Sequence, residues 1–282
     1  GDILRDYQQK DERVQYLRGE TLPQGWKGKN HACYQLAQQA RGDYILFLDA
    51  DITVHDGLIE SSLAYLQKHR LHLLSLFPTQ KMKSPGEYLT VPLMNWILLS
   101  LLPLLLVRLS KRPSLAAANG QFMLFPRKSY LAHQWHKTLR ASAVEDILIS
   151  RALKQKGLPT QTLLGDKYIS CRMYSGFGAA IQGFTKNVLH FFSGSWFLLL
   201  FFLFMTTAGL FLAYACLPQP AFWDYAGMAL ALRGLVAAQS KQNPWLVMLL
   251  APLQQLSFVW LALQTAVVRL TRKGQWKGRP LH

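Results

Sequence analysis

Cysteine is scarce in this sequence, and so is negative charge. The three cysteines, Cys33, Cys171 and Cys216, stand far apart. No zinc-type spacing links them, and their odd number argues against a disulfide framework, so a reducing compartment fits best. Acidic side chains number 15 against 31 Lys and Arg, giving a formal net charge of +16. Such an excess draws a protein towards nucleic acid, anionic lipid or phosphorylated substrates. Nucleic-acid recognition motifs and aromatic stacking signatures are lacking, so nucleic acid is not an expected partner. Internal repeats and low-complexity linkers are absent too.

The basic residues instead cluster beside apolar stretches, at 81–83, 108–112 and 269–279. That placement suits the anionic cytoplasmic face of a membrane. Residues 196–217 and 245–268 carry no charge. Each is long enough to cross a bilayer core, which takes ~20 apolar residues. Each opens on a tryptophan, Trp196 or Trp245, a residue favoured at the membrane interface. Residues 221–238 are a weaker candidate because they hold Asp224 and Arg233. The expected layout is a cytoplasmic domain over 1–190, a transmembrane region over 191–270 and a basic cytoplasmic tail over 271–282. Two spans keep domain and tail on one side, as the positive-inside rule asks.

The first 190 residues alternate helical and strand patterns. Helices are expected at 2–10, 30–41, 58–69 and 144–156, the second capped by Asn30 and closed by Gly42. Strands are expected at 14–17, 44–48, 72–77 and 159–164, with an extended run at 116–125. This order implies an α/β fold with a mostly parallel sheet. The chain opens at Gly1 in polar sequence that reads as mid-domain, so the first strands of the fold are expected upstream.

Three groups can carry chemistry. Asp49 and Asp51 close the strand at 44–48, two residues apart, and so project to one side. Two carboxylates there can hold a hard divalent cation against a diphosphate; a surface turn is the plain alternative. Upstream, Trp26-Lys27-Gly28-Lys29 opens a helix, and a Gly-Lys pair at such a start suits an anion. Glu145-Asp146 opens another helix, where acids either cap the dipole or serve as a general base. Arg172 and Lys186 can neutralise a departing diphosphate, or simply belong to a basic juxtamembrane segment. Residues 88–109 lie between Asp51 and Asp146, which must share one side of the membrane. That stretch is therefore expected in the interface or as a re-entrant element broken by Pro92 and Pro103, rather than as a buried core helix.

Together these residues resemble membrane-anchored, lipid-directed family 2 glycosyltransferases, with carotenoid glycosyltransferases and ceramide glucosyltransferases as similar groups. The resemblance runs through Trp26-x-Gly28-Lys29, Ala40-x-Gly42, Leu46-Phe47-Leu48-Asp49-Ala50-Asp51, Ala118-x-Gly120-Gln121-Phe122, Glu145-Asp146 and Gly183-Phe184-x-Lys186-Asn187. It implies an incomplete GT-A, Rossmann-like nucleotide-sugar transferase domain followed by transmembrane helices, in a bacterial inner membrane. By that resemblance Asp49 and Asp51 hold Mn²⁺ or Mg²⁺, Asp146 is the base and Glu145 assists it. Trp26, Lys29, Asp49, Arg172 and Lys186 form the donor side, and Asn119, Gly120 and Gln121 border the sugar and acceptor pocket. The implied reaction is inverting transfer of one sugar, with a UDP-sugar as donor, to a hydroxyl or carboxyl of a membrane lipid. The Q-x-x-R-W motif of processive synthases is missing, since Gln182 is followed by Gly-Phe-Thr-Lys. A dolichyl-phosphate-type or processive transferase, and a non-catalytic membrane scaffold, are the competing readings.

Overall fold

The computed structural model describes residues 2–271, 275–276 and 279–280. In chain order the elements are α1 (Asp2–Lys10), α2 (Gly28–Gln39), β1 (Tyr44–Leu48), β2 (Ile52–Val54), α3 (Leu58–Lys68), β3 (Leu73–Phe77) and β4 (Thr79–Gln80). Next come α4 (Pro85–Leu101), α5 (Leu105–Leu109), β5 (Phe122–Pro126), α6 (Arg127–His133), α7 (Trp135–Thr138) and α8 (Glu145–Gln155). The chain continues with β6 (Thr160–Leu164), β7 (Ile169–Cys171), α9 (Phe177–Phe191), α10 (Trp196–Cys216), α11 (Gln219–Gln239), α12 (Pro244–Leu249) and α13 (Ala251–Thr271). The basic tail expected over 271–282 falls largely outside the described residues.

The main sheet has the order β1-β5-β3-β6. Strand β5 runs antiparallel to both β1 and β3, while β3 and β6 are parallel. The sheet is therefore mixed, against the expectation of a mostly parallel one. Strands β1, β3 and β6 share a direction, and β5 enters reversed between the first two. Alternate residues of these strands feed two cores. Ile45, Phe47, Met123 and Phe125 join a cluster with Tyr130, Trp135 and Ile149. Tyr44, Leu46, Phe122 and Leu124 face the other way, towards Leu58 and Leu66 of α3. Burial on both faces explains the continuous apolar runs of these strands. Each fully buried large side chain contributes about 1.5–3 kcal/mol.

A third core is helical. Leu93 and Ile97 of α4 pack with Ile181, Phe184 and Val188 of α9 and with Phe258 and Leu261 of α13. Pro92 lies inside α4 rather than breaking it. A proline there leaves the carbonyl four residues back without its helical donor. That carbonyl, on Tyr88, accepts a hydrogen bond from Gln254 Nε2 of α13 at 2.9 Å. Pro103 does fall in the gap between α4 and α5. Leu101, Leu105 and Leu109 stay exposed at the far end.

Three further expectations are corrected. Residues 14–17 form no strand and lie in coil, with Val14 and Tyr16 half-buried and no pairing to any strand. Asn30 does not cap its helix; Lys27 occupies that position, and Asn30 is the third helical residue. Residues 245–268 are not one helix but α12 and α13, separated at Leu250. Pro252 sits in the first turn of α13 and cannot continue a preceding helix. By contrast α10 is uninterrupted, has a mean hydropathy of 2.2 in its most apolar window, and is only 6 % buried there. It is the one helix among the described residues long and apolar enough to cross a membrane. Residues 221–238 lie in the 21-residue helix α11.

Candidate active site

The site forms where β1 ends, where the turn before β5 begins, and where α8 starts. Asp49 follows β1, and its N–H donates to the Gln121 carbonyl at 3.2 Å. Lys29, on the first turn of α2, reaches across to this point. Its Nζ lies 2.9 Å from Asp49 Oδ1 and 3.2 Å from Oδ2. The same ammonium lies 3.6 Å from Glu145 Oε1 and donates to the Gly120 carbonyl at 3.2 Å. The lysine of the Gly-Lys pair thus faces carboxylates within its own chain. Burial works against its charge, but Glu145 and Asp49 overcome this and push its pKa up to about 12.

The two acids of α8 have different surroundings. Glu145 is buried, at 6 % exposure. Burial, then the neighbouring Asp146 charge, raises its carboxyl to about 7, while Lys29 pulls the other way. Asp146 Oδ2 accepts the Gly120 N–H at 2.8 Å, and Oδ1 accepts the Ile147 N–H at 2.8 Å. Burial raises its pKa as well, against the pull of those two N–H groups and Lys29. The bond to Gly120, on another element, separates this arrangement from simple capping of α8. A Cβ at Gly120 would stand 2.9 Å from Lys29 Nζ and 3.4 Å from Asp146 Oδ2, so a larger residue here would displace the ammonium.

Asn119 and Gln121 shape the other wall. Asn119 N–H donates to Ser75 Oγ at 2.7 Å, and Asn119 Oδ1 accepts the Gln121 N–H at 3.0 Å. Gln121 Nε2 points to Cys171 Sγ at 3.1 Å and Asp51 Oδ1 at 3.5 Å. Asp51 itself is exposed. Asn30, one residue after Lys29, is fully buried. Its Nδ2 donates to the carbonyls of Leu139, Arg140 and Ser142 at 2.9, 3.2 and 3.0 Å. It thereby ties the approach to α8 onto α2. Nothing in the sequence pattern marked Asn30 or Ser75 for these tasks.

The remaining expected residues are placed differently. Arg172 is bound by Glu87, with Nη2 2.7 Å from Oε1. Glu87 is fully buried and also accepts from Ser84 Oγ and the Lys83 N–H, both at 2.8 Å. The Arg172 hydrogen bond leads the causes that hold its pKa near 2. Trp26 packs on His31 and Tyr34, at ring distances of 5.2 and 5.4 Å. Lys186 lies on α9, half-buried. On the same helix Gly183 lies under the Tyr174 phenol, which a Cβ would strike.

The donor set suits a divalent cation in part. Among the described residues no three His, Cys, Asp or Glu side chains gather as a metal site. Asp49 and Asp51 supply hard oxygens, and Mg²⁺ or Mn²⁺ commonly takes one or two carboxylates with the rest from substrate phosphates and water. The pair matches that mode in donor type, while both Asp49 oxygens already lie within 3.2 Å of Lys29 Nζ.

Mixed sheets in a Rossmann-like core, with Asp49 and Asp51 just beyond β1, are followed here by C-terminal helices. Residues 1–132 match the family model of glycosyl transferase family 2. The chain is similar to carotenoid glycosyltransferases: it is 27 % identical over 169 residues to the 4,4'-diaponeurosporenoate glycosyltransferase of Staphylococcus haemolyticus. It is 28 % identical over 173 residues to the enzyme of that name from Staphylococcus aureus. In both cases the match covers 58 % of this chain and 44 % of the relative.

Proposed function

We propose that this chain is the membrane-anchored catalytic part of an inverting glycosyltransferase that moves one sugar from a nucleotide-sugar to an apolar acceptor. The observation that carries it is the convergence of Lys29, Asp49, Glu145, Asp146 and Gly120 on one point beyond β1. Asp49 and Asp51 would hold Mn²⁺ or Mg²⁺ against the donor diphosphate. When bound, the cation would offset charge on the departing diphosphate. Asp146 takes the proton of the acceptor hydroxyl or carboxylic acid. The freed oxygen bonds to the anomeric carbon as the sugar–phosphate bond breaks, and the diphosphate leaves from the opposite face. The Gly120 and Ile147 N–H groups hold Asp146 in place. A UDP-sugar is the favoured donor.

The acceptor class rests on the relatives' name, which ends in a carboxylate, and on the helices. Exposed Phe197, Phe201, Phe204 and Phe211 line α10, and Leu101, Leu105 and Leu109 precede Arg108, Lys111 and Arg112 or mingle with them. An exposed apolar surface of this extent suits lipid. Anionic lipid on the cytoplasmic leaflet would add attraction for those cations. The test uses membranes containing the full-length protein, Mn²⁺ and a radiolabelled UDP-sugar. Label is expected in the organic extract as a single-sugar product, and Asp51→Asn should abolish it. Label in polymer or in polyprenyl phosphate, or near-parental labelling by Asp51→Asn, would overturn this reading.

A further inference from the structure

Helix α11 carries one cation, Arg233, into the helical cluster. Its guanidinium carbon lies 4.6 Å from the centre of the Trp96 ring of α4. Nη2 donates to Gln255 Oε1 of α13 at 2.6 Å. Gln255 is fixed in turn, its Nε2 donating to Thr206 and Thr207 Oγ1 at 3.1 and 2.7 Å. Among the described residues no carboxylate lies within ion-pair distance of Arg233, and its other N–H groups have no hydrogen-bond acceptor. The Trp96 Nε1–H is buried and also lacks an acceptor.

Apart from Gln255 Oε1, which Nη2 already uses, the place offers donors and a positive charge. Guanidinium presents five donors and no lone pair, and indole one donor. A charge inside an apolar helical cluster is costly unless a partner meets it, and such residues mark ligand sites. Depth fits an amphiphile. Arg233 stands six residues before the end of α11, about 9 Å along a helix axis. The end of α11 lies beside the catalytic domain, where Lys241 Nζ pairs with Asp166 Oδ1 at 3.4 Å. Arg233 is therefore within reach of the headgroup level on the catalytic side.

We propose that Arg233, Trp96 and Gln255 form a binding site for the anionic head, carboxylate or phosphate, of a membrane amphiphile. The inference rests on the membrane reading above. A carboxylate or phosphate supplies the acceptor oxygens that both residues lack, and guanidinium meets either in a two-pronged fashion. The head comes either from an acid-ended apolar molecule or from a phospholipid.

Full-length protein purified in detergent can be titrated with oleate, with phosphatidylglycerol and with dioleoylglycerol, and bound molecules counted by native mass spectrometry. The parent should retain one of the anionic probes, oleate for the acid source or phosphatidylglycerol for the phospholipid source. Arg233→Gln should weaken that probe ~tenfold or more, leaving dioleoylglycerol binding unchanged. Trp96→Phe keeps the ring under the guanidinium and removes only the N–H, and it should weaken the same probe less. Anion binding equal in parent and Arg233→Gln, or equal loss of the neutral lipid, would overturn the site. If alkaline carbonate releases the parent from membranes, the membrane reading fails first, and this site with it. Carbonate resistance with unchanged anion binding sinks the Arg233 site alone.

Discussion

Lys29 Nζ sits between Asp49 and Glu145, 2.9 Å from one carboxylate and 3.6 Å from the other. It is the tethered counter-charge of an acidic cluster that includes Asp146. Without it, Glu145 loses the charge that opposes its upward shift. Lys29→Met in the full-length protein should lower turnover by ~10²-fold, as for loss of a preorganised charge. The acid limb of the pH–rate profile should move to higher pH. Unchanged turnover with an unmoved acid limb would show that Lys29 is incidental.

Gly120 is where that charge meets backbone. A methyl there would press on Lys29 Nζ, the free end of a flexible side chain, rather than on backbone. Folding should therefore tolerate Gly120→Ala, with Tm shifted by no more than ~4 °C. Turnover should fall ~tenfold or more because the ammonium is moved off Asp49. Parallel assays of melting and transfer separate the two effects. Parental turnover in Gly120→Ala would show that the Lys29 position is not critical.

Glu145 gives a pH signature in stability. Its folded pKa, about 7, stands above the ordinary 4.5. The folded state therefore binds the proton more tightly than the unfolded chain does, and stability from this group falls as pH rises from ~4.5 through ~7. Glu145→Gln cannot ionise. It should melt above the parent at pH 8, and the pH-dependent part of the difference should shrink as pH falls below ~7 and vanish only below ~4. A parent that melts higher at pH 8 would mean that Lys29 repays the burial of this carboxylate in full.

Where a pattern rests on neighbours in sequence, the chain could be read directly. Tyr44–Leu48, Glu145–Gln155 and Thr160–Leu164 stand within a residue or so of expectation because turn residues and apolar periodicity bound them. Asp49, Gly120 and Asp146 were legible because short motifs carry them. What was hidden depends on partners far away in the chain. The reversed direction of β5 is set by its insertion between β1 and β3, which no local pattern encodes. Asn30 looked like a cap because its type favours caps, yet its partners lie over a hundred residues on, at Leu139 to Ser142. Arg172 looked free for a phosphate because Glu87, its buried partner, is 85 residues away. The break at Leu250 leaves no mark in the hydropathy, because an uncharged run reads as one span even when Pro252 interrupts it.

The same long-range logic gives the last prediction. Pro92 leaves the Tyr88 carbonyl without a helical donor, and Gln254 Nε2 fills the gap from α13 at 2.9 Å. Gln254 is 1 % exposed, so water cannot easily replace it. Gln254→Leu should therefore cost about 1–3 kcal/mol, the usual penalty for a buried polar group left unpaired. Pro92→Ala restores an N–H at the helical position and should by itself change stability little, since Tyr88 then has two donors competing for one carbonyl. The double variant is the decisive measurement. Once the Pro92→Ala change supplies the helical hydrogen bond, loss of Gln254 no longer orphans the carbonyl, and the cost of Gln254→Leu should shrink by ~1 kcal/mol or more. Additive effects in that cycle would show that Gln254 stabilises the fold by packing and not by answering the proline.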